Sequence, residues 1–427
     1  MTFSASEGFA RELDADDPLR DFRDKFHLPL GKDGKPVIYF AGNSLGLMPK
    51  SAKQIVDQEL DDWATLVVDA HLNAATPWYS YHETFREPTA RLVGAKPNEV
   101  ICMNSLTVNL HLMMATFYRP TKSRFSILME DPAFPSDTYA IKTQIVHHGL
   151  KPENTLLLAQ PSDREFTVPT ECIVDLIESN ADQLALVLLG GVNFFTGQLF
   201  DIRTIAIAAQ KHGIIVGIDL AHAIGNVPLF LHDWNVDFAV WCSYKYLNAG
   251  PGAAAGAFVH ERHSSNTELP RFGGWFGNDP NTRFRMQLEP EFIPVASADG
   301  WQVSNPPILS MAPLRASLPI FEEAGGMESL RQKSVKLTSY LQFLLESEPE
   351  EQSKRKHRLI TPGNPSERGC QLSILVQEHP KELFGKLESA GVKCDFREPN
   401  VIRVAPTPLY NTFHEVWRFA KILVDHE

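Results

Sequence analysis

Short apolar runs, separated by loops and helical stretches, recur along the middle of the chain. Those with the length and composition of buried strands occupy residues 125–129, 184–189, 214–218, 236–242 and 255–260. Between two of them, Asp201 is placed to cap a helix with Ile202, Ile205 and Ala209 on one face, and Gly213 follows its end. This alternation predicts an α/β fold whose central sheet is mainly parallel, with right-handed crossovers.

The two ends of the chain have other patterns. Residues 1–35 are polar and acidic, and we predict a helix over 10–25 and a turn at 31–34. Beyond 306, two helices precede strands at 372–376 and 401–404, which indicates a small α+β unit. The predicted organisation is an N-terminal arm at 1–40 that contributes to the small domain, a large domain at 41–310 and a C-terminal small domain at 311–427.

Two further stretches of the predicted large domain are a helix and an aromatic segment. A helix after Pro49 is predicted to have one apolar face, formed by Val56, Leu60, Trp63 and Val67. The aromatic stretch 71–83 follows without clear periodicity. Such stretches usually serve packing but also line substrate pockets, and His71 is the candidate substrate residue within it.

Composition and charge narrow the class of protein. The chain has 427 residues, 43% hydrophobic residues and a formal net charge of -12, which argues against nucleic-acid binding because that rests on basic patches. We interpret the basic run at 354–358 as a solvated loop. Five scattered cysteines fit free thiols in a reducing compartment. With no long apolar segment for a membrane span or signal, we predict a cytosolic protein.

The candidate chemistry lies where two predicted strands end. Asp219 follows the run 214–218, and Tyr244 and Lys245 follow the run 236–242. Because the carboxyl ends of parallel strands meet at one sheet edge, these residues are expected to share a pocket. An acid and a lysine there suggest pyridoxal phosphate, with the lysine as Schiff base and the acid on the pyridinium nitrogen. Most lysines are simply solvated, but aromatic neighbours would desolvate Lys245 and favour the neutral amine that forms imines.

Other loops are compatible with the same cofactor, although each has a simpler explanation. Ser105 and Thr107 begin a helix, where hydroxyls and free N–H groups suit a phosphate, but an ordinary N-cap is commoner. Two prolines fix the loop 130–137, which would hold Phe134 and Asp137 rigidly, as would any proline-containing turn. Glycine spacings miss the dinucleotide and P-loop fingerprints, and no metal-ligand pattern is present.

Longer motifs add a family resemblance. They are, in chain order, YFAGNSLGL, NSLTVNLHLMM, AFPSD, GVNFFTGQLFDI, IDLAHAIGNV, WCSYKYLNAGPG, GGWFG, SNPPI and IRVAPTPLYN. Over about residues 39–413 the chain resembles the kynureninase family, pyridoxal-phosphate enzymes of the class V aminotransferase superfamily. The resemblance implies an aspartate aminotransferase-like, fold type I architecture and a homodimer with its active site at the subunit interface.

The resemblance also implies roles for individual residues. Lys245 would bond covalently to the cofactor and shuttle protons, Asp219 would pair with the pyridinium nitrogen, and Arg403 would bind the substrate α-carboxylate. Tyr244 would donate a hydrogen bond near the reacting carbonyl or the phosphate. The remaining cofactor-binding positions implied by the resemblance are Leu106, Thr107, Phe134, Pro135, Ser136, Asp137, His222, Trp275 and Asn305.

The implied reaction is hydrolysis of L-kynurenine or 3-hydroxy-L-kynurenine to alanine plus anthranilate or 3-hydroxyanthranilate, in tryptophan degradation and NAD biosynthesis. His71 and Asn305 resemble the pair in family members that favour the 3-hydroxy substrate. Gly190 stands where some relatives have serine, which removes a hydroxyl near the cofactor. The alternatives are an aminotransferase, a cysteine desulfurase that uses Cys370 or Cys394, and a binding protein that kept the fold without the chemistry.

Overall fold

The strands of this computed structural model follow the apolar runs of the sequence closely. The structure describes residues 2–162, 165–347 and 356–425. Its strands are β1 (Ile38–Tyr39), β2 (Val100–Cys102), β3 (Ser126–Glu130), β4 (Leu156–Ala159), β5 (Leu184–Gly190), β6 (Ile215–Asp219), β7 (Phe238–Trp241), β8 (Gly256–Val259), β9 (His357–Leu359), β10 (Leu372–Val376), β11 (Val392–Lys393), β12 (Asp395–Arg397) and β13 (Val401–Val404).

Helices precede, connect and follow these strands. The α-helices are α1 (Glu7–Ala15), α2 (Ala52–Leu66), α3 (Ala70–Asn73), α4 (Arg86–Val93), α5 (Leu106–Phe117), α6 (Pro135–His147), α7 (Pro152–Thr155), α8 (Thr170–Ser179), α9 (Ile202–Lys211), α10 (Glu261–Ser264), α11 (Ile308–Glu323), α12 (Gly326–Glu346), α13 (Pro380–Ser389) and α14 (Phe413–Asp425). Short 3-10 segments lie at Arg20–Lys25, Val67–Asp69, Trp78–Phe85, Pro97–Glu99, Arg283–Leu288, Ala298–Trp301 and Pro365–Glu367. No helix in these described ranges is both long and apolar enough to cross a membrane.

The central sheet has the strand order β2-β8-β7-β6-β5-β3-β4. Neighbours from β7 to β4 run parallel, whereas β8 runs antiparallel to both β7 and β2. The predicted mainly parallel α/β architecture is therefore confirmed. The exception is β8, because the connection from β7 to β8 carries no helix to bring the chain back in parallel.

The smaller lobe is built around a four-stranded antiparallel sheet, β12-β13-β10-β9. Its apolar core takes residues from both ends of the chain, with Ala10, Leu13 and Phe40 packed among residues of α12, α14, β10 and β13. Strand β1 pairs in parallel with β11. The domain boundaries at 40 and 310 stay a prediction.

Several local predictions were wrong. The first helix ends at Ala15 rather than at 25, and a 3-10 segment follows Pro18, whose ring lacks the N–H that a continuing helix needs. The basic run at 354–358 is not simply a loop, since residues 357 and 358 belong to β9 and pair with β10; residues 354 and 355 lie outside the described residues. Asp137, assigned to a loop, lies in the first turn of α6.

Helix α2 buries a charged side chain and exposes apolar ones, the reverse of the usual arrangement in a surface helix. Its apolar positions Leu60 and Trp63 are 41% and 57% exposed, while Glu59 is buried. Glu59 accepts hydrogen bonds from the Trp78 indole at 2.8 Å and the Tyr81 hydroxyl at 2.9 Å, and it pairs with Arg315 at 3.0 Å. These partners satisfy the buried carboxylate, and the apolar face of α2 is left on the surface.

Candidate active site

A cavity lies at the carboxyl ends of the parallel strands, where ligands bind in open α/β sheets. We call it the cofactor pocket. Its volume is about 510 Å³. It is lined by residues from strand ends and from two helix starts, namely Leu106, Thr107, Glu130, Phe134, Ser136, Asp137, Gly190, Val192, Phe194, Asp219, Ala221, His222, Tyr244 and Lys245.

Lys245 lies after β7 with only 8% of its surface exposed. Its Nζ is 3.0 Å from Nε2 of His222 and 5.6 Å from the centre of the Phe134 ring. Burial and the neighbouring Lys245 charge lower the pKa of His222 well below its usual range. A neutral His222 can accept a hydrogen bond from the lysine, so the amine is held at a defined place in the pocket.

The chain segment around Lys245 is fixed by a close backbone contact. Gly46 donates its N–H to the Tyr244 carbonyl at 2.8 Å. A Cβ on Gly46 would lie 2.3 Å from the Lys245 carbonyl oxygen, which explains why glycine is required there. The loop that contains Gly46 therefore supports the lysine.

Two acids, Asp137 and Asp219, also line the pocket. Asp219, at the end of β6, accepts a hydrogen bond from the Ala221 N–H at 2.6 Å and shares a side-chain hydrogen bond with Asp137. Burial, followed by the charge of Asp219, raises the pKa of Asp137 well above its usual range, and burial also raises the pKa of Asp219. The shared hydrogen bond acts to raise the pKa of Asp137 and to lower that of Asp219, which favours Asp137 as the donor and Asp219 as the acceptor of the pair.

The other end of the pocket is suited to an anion. The N-termini of α5 and α6 meet there, and Thr107 Oγ1 lies 3.1 Å from Ser136 Oγ. The side chain of Ser105 makes no N-cap hydrogen bond, so ordinary capping does not account for it. Two helix starts with free N–H groups and two hydroxyls form a site that fits a phosphate.

These residues fit pyridoxal phosphate. The pocket offers an acid for the ring nitrogen, a buried amine for the aldehyde and an anion site for the phosphate. Two buried polar atoms of pocket residues, Asp137 Oδ1 and His222 Nδ1, have no hydrogen-bond partner within the protein. Buried polar groups are normally paired, so these atoms are available to a ligand.

Tyr244 lines the pocket next to the lysine. Burial raises the pKa of its phenol. The hydroxyl therefore stays protonated at neutral pH and can donate a hydrogen bond or a proton.

Five residues implied by the resemblance do not line the cofactor pocket of this chain: His71, Pro135, Trp275, Asn305 and Arg403. His71 and Asn305 instead line a second cavity of about 950 Å³, which we call the apolar groove. Its other lining residues are Glu59, Trp63, Trp78, Pro306, Pro307, Ile308, Leu309 and Ser310. The Trp275 loop packs beside this region, since a Cβ on Gly274 would meet the Val303 carbonyl.

Arg403 does not line the cofactor pocket but contacts a residue that does. Its guanidinium donates to the Phe194 carbonyl at 2.6 Å and to Asp395 Oδ1 at 2.9 Å, and it is 1% exposed. Phe194 lines the pocket. A ligand that reached past Phe194 would meet a guanidinium already oriented by Asp395.

The pocket is also lined by Glu130, Val192 and Phe194, to which the sequence pattern assigned no role. Glu130 had a recognisable signal, because it is a carboxylate at the end of an apolar strand, as Asp219 is. Val192 and Phe194 lie in an irregular loop, whose side-chain directions do not follow from spacing.

The thiols that a desulfurase would need are poorly suited to reaction. Cys370 is fully buried, and Cys394 lies between β11 and β12. Burial raises the pKa of both thiols to about 12, so neither is a thiolate at neutral pH. The structure gives no support to the cysteine desulfurase alternative.

Away from the pocket, Glu99, His232 and His260 lie close enough together to hold a metal ion. Glu99 is fully buried and accepts hydrogen bonds from the N–H groups of Lys96 at 2.8 Å and Glu261 at 2.7 Å. His232 Nδ1 lies 2.9 Å from the same carboxylate. These bonds satisfy the carboxylate, so the cluster has a structural explanation.

Comparison with known families matches the chain along its length. The model of class V aminotransferases matches residues 38–362, and that of the kynureninase C-terminal domain matches residues 330–423. A kynureninase of Myxococcus xanthus is 54% identical, covering 99% of this chain and 98% of its own length. A kynureninase of Flavobacterium psychrophilum is 51% identical, with the same coverage.

Solved structures share the fold at low sequence identity. A lysine mutant of C-DES, with glycine covalently linked to its pyridoxal-phosphate cofactor, has a TM-score of 0.75 at 16% identity, covering 91% of this chain and 96% of its own. The cysteine desulfurase CsdA of Escherichia coli has a TM-score of 0.75 at 16% identity, covering 96% of this chain and 98% of its own. These matches confirm the predicted architecture. The sequence relatives go further: the chain belongs to the kynureninase family and is a pyridoxal-phosphate-dependent hydrolase of the class V aminotransferase superfamily.

Proposed function

We propose that this enzyme hydrolyses 3-hydroxy-L-kynurenine in preference to L-kynurenine, releasing L-alanine and 3-hydroxyanthranilate or anthranilate. The observation that carries the reaction is the 54% identity to a kynureninase over nearly the whole chain, combined with a pocket that holds Asp219 and Lys245 together. The observation that favours the 3-hydroxy substrate is that His71 and Asn305 both line the apolar groove.

Lys245 would carry out the proton transfers at the α carbon. Pyridoxal phosphate, when bound, supplies an electron sink that stabilises negative charge at that carbon. The buried amine, held by neutral His222, is placed to take the α proton and later return it. Asp219 would keep the ring nitrogen protonated, and Phe134 would pack on the ring face together with residues 135–137.

Tyr244 and Arg403 would handle the rest of the substrate. A phenol that stays protonated can donate to the carbonyl where water adds during C–C cleavage. Arg403 would bind the α-carboxylate, for which a guanidinium oriented by Asp395 is well suited. For this contact, the carboxylate must reach past or displace Phe194.

The apolar groove would recognise the aryl ring of a substrate bound to another copy of the chain. Trp63 and Trp78 offer flat walls, while His71 and Asn305 offer polar atoms for a ring hydroxyl. The surface beside the groove is strongly apolar, with Trp63, Val67, Val68 and Leu72 57–70% exposed. We propose that a second copy covers this surface in a homodimer, bringing His71, Trp275 and Asn305 to the partner's cofactor pocket.

The decisive measurement is kcat/KM for both kynurenines in the wild type and in His71→Ala. We expect the wild type to prefer the 3-hydroxy substrate. Loss of one hydrogen bond to the ring hydroxyl, about 1.4 kcal/mol, would lower kcat/KM for that substrate about tenfold. The value for L-kynurenine would change by less than about threefold.

His147→Ala, at an exposed position on α6, is the matched control and should leave both values unchanged. Equal wild-type values for the two substrates would refute the preference. An enzyme that releases no anthranilate-type product from either substrate would refute the reaction itself.

A further inference from the structure

Glu130 is a buried acid that the reaction described above does not use. It is the last residue of β3, it is 4% exposed, and it lines the cofactor pocket. Burial raises the pKa of its carboxyl to about 7. A buried ionisable side chain at the edge of a cofactor site is costly unless it has a purpose.

The sheet places Glu130 and Asp219 on either side of a glycine. Strand β5 lies between β3 and β6, and Gly190 at its end is the register partner of Asp219. Both carboxyl oxygens of Glu130 lie 3.2 Å from the Gly190 N–H. Because Gly190 has no side chain, the end of β5 places no side chain between the strands that carry the two acids.

The lack of a side chain at residue 190 leaves room for the Glu130 carboxyl. A Cβ on Gly190 would lie 3.0 Å from Glu130 Oε1, closer than most real contacts of this kind. A serine at this position, as in the family members noted above, would crowd the carboxyl. In this chain the space is occupied by an acid that reaches in from the neighbouring strand.

The electrostatic surroundings couple Glu130 to the two acids that face the cofactor. The charge of Asp219 acts on Glu130, and the charge of Glu130 acts on Asp137. Asp131, in the adjacent loop, adds a further negative charge. Lys245 also lines the pocket, and its charge has the opposite effect, acting to lower the pKa of Asp137 and of Asp219.

We infer that Glu130 is a positioning residue of the cofactor pocket: acting across Gly190, it sets the charge that the Asp137–Asp219 pair presents to the pyridinium nitrogen. When Glu130 is protonated, the pair can carry a full negative charge against the ring. When Glu130 is ionised, its charge makes the pair and the cofactor hold their protons more tightly. The inference requires that the pocket binds pyridoxal phosphate and does not depend on which kynurenine is preferred.

The test is a pH titration of the visible absorption band of the holoenzyme, without substrate. Glu130→Gln keeps the shape and removes the charge. Because the ionised carboxyl stabilises the protonated form of the bound cofactor, its loss should move the midpoint of the spectral transition to lower pH by roughly half a unit or more. Glu130→Asp keeps the charge and should leave the midpoint closer to that of the wild type.

Asp131→Asn is the matched control, since it removes a neighbouring charge that does not line the pocket. We expect a smaller shift than that of Glu130→Gln. A folded Glu130→Gln holoenzyme with the wild-type midpoint would overturn the inference. Equal shifts in Glu130→Gln and Glu130→Asp would also overturn it, because the carboxyl would then act through packing alone. If Glu130→Gln does not fold, Glu130→Asp is compared with Asp131→Asn instead. A larger shift of the spectral midpoint in Glu130→Asp than in Asp131→Asn would overturn the inference.

Discussion

The cofactor pocket and the apolar groove are built in opposite ways. The pocket brings together three buried acids, Glu130, Asp137 and Asp219, with the buried Lys245. The groove is lined mostly by apolar side chains, and the apolar residues beside it are exposed. The pocket is formed by residues of a single chain. The exposed apolar surface at the groove is instead typical of an interface with another protein chain.

This difference follows from the elements that form each region. The pocket residues follow strands whose register is set by the sheet, so their spacing is fixed by backbone hydrogen bonds. The groove is formed by α2, the 3-10 segment Trp78–Phe85 and the loop before α11. The buried Glu59 network joins α2 to the 3-10 segment and to α11, whose residues Tyr81, Phe85 and Met311 belong to the core. We therefore expect changes in the pocket to affect cofactor chemistry, and changes in the groove to affect substrate preference, stability and assembly.

The largest effect is expected for Lys245→Ala. Removing the buried amine takes away both cofactor attachment and proton transfer, and kcat should fall by at least about 10⁴-fold. Borohydride treatment should no longer link the cofactor irreversibly to the protein, as judged by peptide mass. Lys142→Ala, at an exposed position on α6, is the control and should behave as wild type. Residual activity within about tenfold of wild type would remove Lys245 from its role.

A large effect on stability is expected for Glu59→Ala. The change leaves Arg315, Trp78 and Tyr81 without their shared acceptor, and it should lower the free energy of unfolding by about 3 kcal/mol. Urea denaturation measures the loss. The exposed Asp61→Ala on the same helix should change stability by less than about 0.5 kcal/mol. Equal losses in the two variants would show that the network does not hold the groove.

The smallest effect is expected for Val68→Asp, which places a charge on the apolar surface beside the groove. We expect weaker self-association in sedimentation experiments and about a tenfold loss of activity at low protein concentration, with the visible band retained. Val146→Asp is the matched control, because Val146 is also exposed, at 60%, but lies on α6 away from the groove. If Val68→Asp associates as wild type does, this surface is not the interface.

The sequence predicted the strand ends of the pocket well. A parallel strand places its last residue at a known edge of the sheet, so Asp219 and the residues after β7 could be assigned to one site from the apolar runs alone. Helix faces were less reliable. The apolar positions of α2 were identified, but their burial was not predictable, because periodicity does not reveal whether the partner surface belongs to the same chain.

By itself the sequence determined the α/β order of the elements, the acid and lysine at the strand ends, and the family through its long motifs. Only the tertiary structure decided that Glu130 and Asp219 end the two strands that flank Gly190, that Arg403 is bound to Asp395 and to the Phe194 carbonyl, and that His71 and Asn305 share a groove away from Lys245. The reason is physical. Hydrophobic periodicity and motif spacing are local properties of the chain, whereas most of these contacts depend on sheet register and loop packing between distant residues. Glu130 and Gly190 are 60 positions apart, Phe194 and Arg403 are 209 apart, and His71 and Asn305 are more than 230 apart.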